Sequence, residues 1–222
     1  MNAKKRFIAG SALLAIFIIF TLLITLVDVK ASGESGAMVG FSSVNSAFFE
    51  CFGSNDGLDT VSDVILLLSF AYVFGFALVG AIQLIKRKSL FKVDKHVLLM
   101  GALMVVLAII YVVFELFEIN CRPILVDGVL EASYPSTHVL FSTTILASST
   151  LLLHRMVKNR RLLIAADGTT AFLGIIGIVS RTLSGAHWLT DIVASVILSL
   201  ALVTLFSAAL ALADKSTKKD MP

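Results

Sequence analysis

Long apolar runs separated by short polar segments fill most of the chain. Six runs reach or approach the roughly 20 residues that an α-helix needs to cross a hydrocarbon core about 30 Å thick. The runs lie at residues 7–27, 61–85, 97–114, 136–153, 162–179 and 188–213. We therefore predict an all-α integral membrane bundle of six transmembrane helices, formed as a single domain over residues 1–222.

The composition supports this class of protein. Of the 222 residues, 58% are hydrophobic and 15% are charged, which leaves too little polar surface for a soluble domain of this size. The first run follows three basic residues, as the apolar part of a secretion signal does. However, it exceeds the roughly 7–15 apolar residues of such a signal, and no clear cleavage site follows. We expect it to be a retained helix.

Basic residues are divided very unevenly between the two sets of loops. Fifteen of the eighteen lysines and arginines fall on one side: Lys4, Lys5, Arg6, Lys86, Arg87, Lys88, Lys92, Lys95, Arg155, Lys158, Arg160, Arg161, Lys215, Lys218 and Lys219. Because cytoplasmic loops carry such an excess, both termini are predicted to be cytoplasmic, in a cell membrane. Loops 28–60, 117–135 and 180–187 then face outward. The net charge of +3 reflects this topology and indicates no nucleic-acid partner.

Two outward loops contain arginines against this bias. Arg122 lies in loop 117–135, and Arg181 lies in loop 180–187. Snorkelling to the interface explains one isolated arginine, but polar residues accompany both of these. Two guanidinium groups that approach one another would suit an oxyanion such as phosphate.

The segment "EASYPSTHVLFSTT" places a helix start beside the first arginine. Pro135 suits the first turn of a helix, where its missing N–H costs nothing. The amides of Ser136, Thr137 and His138 would then form a helix N-terminus that binds an anion. The alternative is an ordinary capped helix with an incidental histidine.

The segment "SRTLSGAHWLTDIVAS" places a histidine and a carboxylate on one helix face. His187 and Asp191 are four residues apart, so Asp191 can take the proton of one imidazole nitrogen and leave the other as a nucleophile. A purely structural pair is the alternative. Trp188 suits an aromatic belt at the membrane interface. With the two arginines to bind an oxyanion and His138 to protonate a leaving oxygen, the outer face has the groups for phosphoryl transfer.

These segments resemble the type 2 phosphatidic acid phosphatase superfamily, whose pocket is shared with vanadium haloperoxidases. The family pattern is Lys-x6-Arg-Pro, then Pro-Ser-Gly-His, then Ser-Arg-x5-His-x3-Asp. The third part is complete, the second has threonine in place of glycine, and the first keeps only its Arg-Pro pair. The matching residues are Ser180, Arg181, His187 and Asp191; Pro135, Ser136, Thr137 and His138; and Arg122 with Pro123.

The resemblance implies a role for each matching residue. The histidine at His187 attacks phosphorus, the carboxylate at Asp191 orients it, and His138 donates a proton to the leaving group. The expected phosphate-binding residues are Arg122, Arg181, Ser136 and Thr137. No metal or cofactor is expected.

One departure from the pattern affects the pocket. Glu115 stands seven residues before Arg122, where the family has lysine, and a carboxylate would repel phosphate. Either Glu115 points away and another group such as Asn120 takes the role, or the pocket is weakened. Thr137 is the milder change, because the family glycine offers mainly its backbone amide.

The resemblance implies a membrane-embedded phosphatase that hydrolyses a lipid phosphate or diphosphate at the outer face. The expected substrates are a polyprenyl (undecaprenyl) diphosphate, phosphatidate or phosphatidylglycerol phosphate, and no protein partner is expected. Two alternatives stay open: a lipid phosphotransferase on the same scaffold, and a non-catalytic lipid-binding or transport protein with a weakened pocket.

Other features of the outer loops have two interpretations each. Helical spacing of apolar residues predicts a helix that either lies in the interface or packs on the bundle; these residues are Met38, Phe41, Val44, Phe48 and Phe52. Cys51 and Cys121 fall on one side and form either a disulfide or two free thiols.

Four carboxylates suggest a metal, which we do not expect: Glu115, Glu118, Asp127 and Glu131. On the other side, Asp167 is expected to reach back toward Arg160 or Arg161.

Overall fold

The computed structural model describes residues 1–34 and 36–219, and for residues 217–219 it describes the backbone alone. The predicted cytoplasmic side chains of Lys218 and Lys219 therefore lie outside the described part. Within that part the chain forms seven α-helices, a short 3-10 helix and a two-stranded hairpin. The helices are α1 (Ala3–Leu26), α2 (Ser42–Phe52), α3 (Asp56–Arg87), α4 (Lys95–Leu116), α5 (Thr137–Met156), α6 (Arg160–Leu183) and α7 (Leu189–Lys219); the hairpin is β1 (Lys30–Ser32) with β2 (Ala37–Val39), and the 3-10 helix is Leu90–Lys92.

Six of these helices are long and apolar enough to cross a membrane, which confirms the six predicted spans. Several of them begin before the apolar run, because polar side chains cap their first turns. The side chain of Asn55, for example, accepts a hydrogen bond from the Leu58 amide at 3.0 Å and starts α3 ahead of its predicted run. Large apolar side chains stay exposed along the outer faces of the helices, as expected of surfaces that meet lipid. The orientation of the bundle in the membrane stays a prediction.

Helices α5 and α7 form the centre of the bundle and position the ends that carry the motifs. Their contact is lined by small hydroxyl side chains, which let two helix backbones approach closely in a membrane protein. Ser195 Oγ donates to the Ser136 carbonyl at 2.9 Å, and Ser199 Oγ donates to the Leu140 carbonyl at 3.2 Å. The first turns of α5 and α7 are therefore fixed side by side. We call this end of the bundle the site end.

Helix α1 packs mainly along α7, so the first and last helices of the chain are neighbours. The Arg6 guanidinium, near the start of α1, donates to Ser207 Oγ at 2.6 Å, near the end of α7. At the site end of α1, the Thr21 hydroxyl lies 2.6 Å from the Tyr134 hydroxyl, just before α5. Helix α1 thus spans the distance between the C-terminal part of α7 and the loop that precedes α5.

The first outer loop covers the site end with the hairpin and α2. The predicted helix is shorter than expected, because Met38 lies in β2 and Phe41 has a left-handed backbone before α2 begins. The Asp28 carboxylate accepts from the Ser43 amide at 2.7 Å and pairs with Lys30 at 2.6 Å. These contacts, with that of Lys30 the largest, lower the pKa of Asp28 to about 2 and keep it charged at the start of α2.

Helix α2 packs on the start of α7. Asn45, fully buried, donates to Thr190 Oγ at 2.9 Å and accepts from the Thr190 amide at 3.2 Å. The Phe49 ring meets the Trp188 ring edge to face. Val44 and Phe52 of the same helix stay exposed. The structure thus bears out a helix that packs on the bundle; its insertion in a membrane interface stays a prediction.

Several individual expectations are settled by the contacts. Cys51 and Cys121 are free thiols in this structure. The prediction for Asp167 was wrong: its carboxylate lies 2.9 and 3.0 Å from His154 Nε2, one helix away, and not on a neighbouring arginine. The prediction for Trp188 was also wrong, because this residue is 1% exposed and its indole N–H donates to the Cys121 carbonyl at 2.6 Å. It is a buried anchor at the site end and not part of an aromatic belt.

Candidate active site

The start of α5 brings the Pro-Ser-Thr-His segment to the centre of the site end. Ser136 is the N-cap residue, so Pro135 precedes the cap and does not occupy the first turn as predicted. The Ser136 amide donates to the Asp191 carbonyl at 3.4 Å, so it is not available to an anion. The first backbone bond of the helix runs from the Leu140 amide to the Ser136 carbonyl, which leaves the amides of Thr137 and His138 ahead of the intrahelical pattern. The anion site expected here is reduced to those two amides.

His138 projects from the first turn of α5 toward α3. Its Nε2 atom lies 2.8 Å from Asp63 Oδ1. The Ser136 hydroxyl beside it is completely buried and has no hydrogen-bond partner within the described part of the chain. A buried hydroxyl without a partner is uncommon and suits a position that receives a ligand oxygen.

Arg181 enters the site from the last turn of α6 and is 1% exposed. Its Nη1 atom pairs with Asp59 and lies 3.2 Å from Ser62 Oγ and 3.8 Å from Asp63 Oδ1. Its Nη2 atom points the other way, 3.1 Å from His187 Nε2. A buried guanidinium needs such a set of acceptors to offset its desolvation. Arg181 therefore bridges the α3 carboxylates and the histidine of the third motif.

His187 lies in the loop just before α7 and is 5% exposed. Its Nδ1 atom is 2.9 Å from the Ser133 carbonyl, whereas Asp191 Oδ2 is 3.9 Å away. A carbonyl oxygen only accepts, so Nδ1 carries the hydrogen and the lone pair stands on Nε2. The predicted partner of Nδ1 is thus corrected: the hydrogen-bond acceptor is a backbone carbonyl, and Asp191 is a more distant second neighbour.

The surroundings of His187 favour its neutral form. Burial lowers the pKa of His187 well below the ordinary value of 6.5, and the positive charges of Arg181 and Arg122 lower it further. A neutral imidazole with its lone pair on Nε2 is the form that acts as a nucleophile.

Asp191 is fully buried and accepts hydrogen bonds on both carboxylate oxygens. The Trp188 amide donates to Oδ2 at 3.1 Å, and Asn120 Nδ2 donates to Oδ1 at 3.0 Å. Asn120 Oδ1 in turn accepts from the Gly40 amide at 3.3 Å. The suggestion that Asn120 replaces the family lysine at the phosphate was therefore wrong, because both ends of its side chain are engaged in holding Asp191 and the outer loop.

Arg122 directly follows a short antiparallel bridge that pairs Cys121 with Ala132. Its amide donates to the Glu131 carbonyl at 3.0 Å, and its Nε atom lies 3.0 Å from Glu131 Oε2. Arg122 and His187 line a common cavity of about 360 Å³, together with Thr137. Glu115, the residue that departs from the family pattern, lines the same cavity.

The turn before His187 depends on a glycine. Gly185 has a left-handed φ of 71°, and a Cβ atom there would lie 2.2 Å from the Gly53 carbonyl oxygen. In addition, the Asn55 amide donates to the Ser184 carbonyl at 2.8 Å. The turn at Gly185 therefore packs directly against the backbone that joins α2 to α3, and this contact fixes the position of His187.

The first turns of α3 supply carboxylates that the motifs do not include. Asp59 pairs with Arg181, and Asp63 pairs with His138. Their spacing of four residues at the start of an apolar run places them on one helix face, which was a signal available in the sequence. Nothing in the sequence, however, indicates which face of α3 meets α6.

The predicted residues thus converge at the site end. Arg181 contacts His187, His138 shares Asp63 with Arg181, and Arg122 shares a cavity with His187. Within the described residues, no group of three or more His, Cys, Asp or Glu side chains is arranged to hold a metal ion. The metal-independent chemistry expected from the sequence stays a prediction.

Comparisons with known proteins agree with this architecture. The family model of the PAP2 superfamily matches residues 4–213, so the chain belongs to this superfamily. Among solved structures, the chain is similar to the "first transmembrane PAP2 type phosphatidylglycerolphosphate phosphatase from Bacillus subtilis". The TM-score is 0.61 at 16% identity, over 95% of this chain and 96% of that chain, which shows a shared membrane fold. No curated protein sequence matches the chain.

Proposed function

We propose that this protein is a metal-independent membrane phosphatase that hydrolyses a lipid phosphate or diphosphate through a phosphohistidine. The observation that carries the proposal is the state of His187. It is buried, donates from Nδ1 to the Ser133 carbonyl and keeps its Nε2 lone pair beside the Arg181 guanidinium. A nucleophile next to a fixed cation is what attack on a phosphoryl group requires.

The reaction would proceed in two balanced steps. In the first, His187 Nε2 forms a bond to phosphorus while the bond from phosphorus to the leaving oxygen breaks. The His138 imidazole gives that oxygen a proton, so the lipid leaves as the alcohol or, from a diphosphate, as the singly protonated lipid phosphate. In the second step, water attacks phosphorus, the N–P bond breaks, and His138 takes a proton from the water.

Substrate binding would exchange existing ion pairs for contacts to phosphate. Arg181 is paired with Asp59, and Arg122 with Glu131, so each guanidinium already faces a carboxylate. Phosphate oxygens would compete with these carboxylates, and the buried Ser136 hydroxyl, which bonds to none of the described residues, would donate to them. Between turnovers, the α3 carboxylates would hold Arg181 and His138, and Glu131 would hold Arg122.

The outward orientation of the site is also part of the proposal. The basic segments that follow α3 and α5 lie at the bundle end opposite the site. Since cytoplasmic loops carry the excess of basic residues, the site end would face outward in a cell membrane. A substrate delivered there would be a phosphorylated lipid of the outer surface: a polyprenyl diphosphate, phosphatidate or phosphatidylglycerol phosphate. The last is the substrate class for which the similar Bacillus subtilis protein is named.

The decisive experiment measures phosphate release by purified protein in detergent from a panel of lipid phosphates, with and without chelator. We expect turnover that survives chelation and disappears in His187→Ala. His154→Ala is the matched control, because His154 is exposed and pairs with Asp167 far from the motif residues. Turnover that persists in His187→Ala contradicts the mechanism. Loss of donor phosphate only when an acceptor lipid is present would indicate a phosphotransferase, and lipid binding without any turnover would indicate a binding protein.

A further inference from the structure

Helix α3 changes its close neighbour between the two ends of the bundle. Near the site end it packs tightly on α6, because a Cβ atom on Gly177 would lie 3.1 Å from Ile65 Cγ2. Near the opposite end it packs tightly on α4, because a Cβ atom on Gly80 would lie 3.1 Å from Val97 Cγ1. Helices that cross at an angle diverge away from their contact. A gap therefore opens beside α3 at the end opposite the site.

This gap is a groove of about 590 Å³ between α3 and α5, which we call the α3–α5 groove. Its walls are apolar apart from the Tyr72 hydroxyl, and they include Tyr72, Gly75, Val79, Leu153, Met156 and Val157. Gly75 is exposed, and a Cβ atom on it would meet no atom within 4 Å. Water in such a groove would lack polar partners, so an acyl chain suits this space.

Polar contacts mark the level at which the groove ends. On α3, Gln83 lies one turn beyond the groove and accepts from the Asp94 amide at 2.8 Å. On α5, Arg155 lies at the end of the groove and donates from Nε to Asp214 Oδ2 at 3.3 Å. The groove thus extends from the apolar interior of the bundle to its polar boundary. An acyl chain bound in it would place its headgroup just beyond that boundary.

Three basic residues lie directly after this boundary. Lys158 follows Val157, which lines the groove, and Arg160 and Arg161 begin α6. All three are exposed, and none forms an ion pair within the part of the chain that the structure describes. Membrane topology accounts for basic residues in this segment, but not for an apolar groove that ends at them. Exposed cations at this level attract the phosphate of an anionic lipid.

We propose that the α3–α5 groove, together with Lys158, Arg160 and Arg161, binds an anionic phospholipid from the leaflet at the end opposite the site. One acyl chain lies in the groove, and the lipid phosphate contacts the three cations. This site is separate from the proposed phosphate site, which lies at the other end of the bundle. The inference therefore does not depend on phosphatase activity.

The test measures binding of two lipids that have identical acyl chains and different headgroup charges. Native mass spectrometry of the purified protein in detergent gives Kd for phosphatidylglycerol and for phosphatidylcholine. We expect phosphatidylglycerol to bind about tenfold more tightly, as fits contacts with one or two exposed cations. Equal affinity of the wild type for the two lipids overturns the proposal.

A variant that fills the groove tests where the acyl chain lies. Gly75→Phe should weaken the binding of both lipids by about tenfold, because the new ring occupies the space of the chain. Gly101→Phe is the matched control and should bind as wild type does. Gly101 is an exposed glycine of α4 outside the groove, and a Cβ atom on it would also meet no atom within 4 Å. Unchanged binding in Gly75→Phe overturns the assignment of the groove.

A second variant tests the headgroup contacts. The triple variant Lys158→Gln, Arg160→Gln and Arg161→Gln should bring the ratio of the two Kd values near one. The matched control removes three charges from another basic segment and should keep the wild-type ratio: Lys86→Gln, Lys88→Gln and Lys92→Gln.

The remaining outcomes also decide the inference. An equal loss of preference in both triple variants shows general attraction by a basic surface and overturns the site. A preference that persists in the first triple variant overturns the role of its three cations. If Arg122→Gln abolishes the preference and the first triple variant keeps it, the lipid binds at the proposed phosphate site and the inference is wrong.

Discussion

Replacing Asn120 with alanine tests whether this residue holds Asp191 or binds substrate. Asn120 Nδ2 donates a hydrogen bond to the buried carboxylate at 3.0 Å. Without it, Asp191 loses the donor on Oδ1 and keeps the Trp188 amide on Oδ2, at 3.1 Å. A hydrogen bond to a buried charged group contributes about 1.5–3 kcal/mol. If the whole effect falls on the transition state, kcat decreases by about 10- to 100-fold.

The assay separates the two roles through the kinetic constants. We expect kcat to fall in Asn120→Ala while KM for a lipid phosphate changes by less than about threefold, because Asn120 does not line the cavity. Asn120→Asp keeps the shape of the side chain but places a second carboxylate against Asp191, so its kcat should fall at least as far. The control is Asn45→Ala, since Asn45 is equally buried but bonds to Thr190 and the Gly40 carbonyl. A large rise in KM with unchanged kcat would show that Asn120 binds phosphate and would refute the reasoning.

Two further predictions follow from the surroundings of His187. Because burial and Arg181 lower the pKa of His187 well below 6.5, its nucleophilic form persists as the pH falls. The acid limb of kcat/KM should therefore lie well below pH 6.5, and a limb centred at or above that value contradicts the assignment. Gly185→Ala should reduce kcat/KM by about tenfold or more and lower the thermal stability in detergent, because a left-handed backbone costs a non-glycine residue roughly 1–2 kcal/mol and the new methyl meets the Gly53 carbonyl. Gly168→Ala, whose added methyl would meet no atom within 4 Å, should behave as wild type; equal behaviour of the two variants would contradict the role of the turn.

The sequence was informative where a contact depends on spacing along one helix or on charge counts. Six spans followed from the apolar runs, and the proximity of His187 to Asp191 followed from an interval of four residues. The convergence of Arg122, His138 and Arg181 followed from motif resemblance, because no local pattern brings a loop and two helix ends together. These predictions needed no knowledge of side-chain rotamers.

The errors in prediction concern contacts between elements that are distant in sequence. His187 Nδ1 lies 2.9 Å from the Ser133 carbonyl oxygen and 3.9 Å from Asp191 Oδ2. The conformation of the loop before α5 determines which of the two is the hydrogen-bond partner. Asn120 was suggested as a phosphate ligand, and Trp188 as a residue of the membrane interface. Both are instead covered by the first outer loop, through Gly40 and Phe49 respectively. Asp59 reaches Arg181 because of how α3 packs on α6, and the apolar sequences of both helices allow several such packings.

The pairing of α1 with α7 has a consequence for biogenesis. A ribosome delivers α1 to the membrane first and α7 last, so the earliest span lacks its main neighbour until synthesis is nearly complete. Arg6 can reach Ser207 only then. The loop that carries His187 precedes α7, and it is likewise fixed only when that final span docks. A chain without α7 could still pair Arg181 with Asp59 on α6 and α3, but nothing would hold His187 beside them, so the geometry of the proposed site is complete only when the last helix docks.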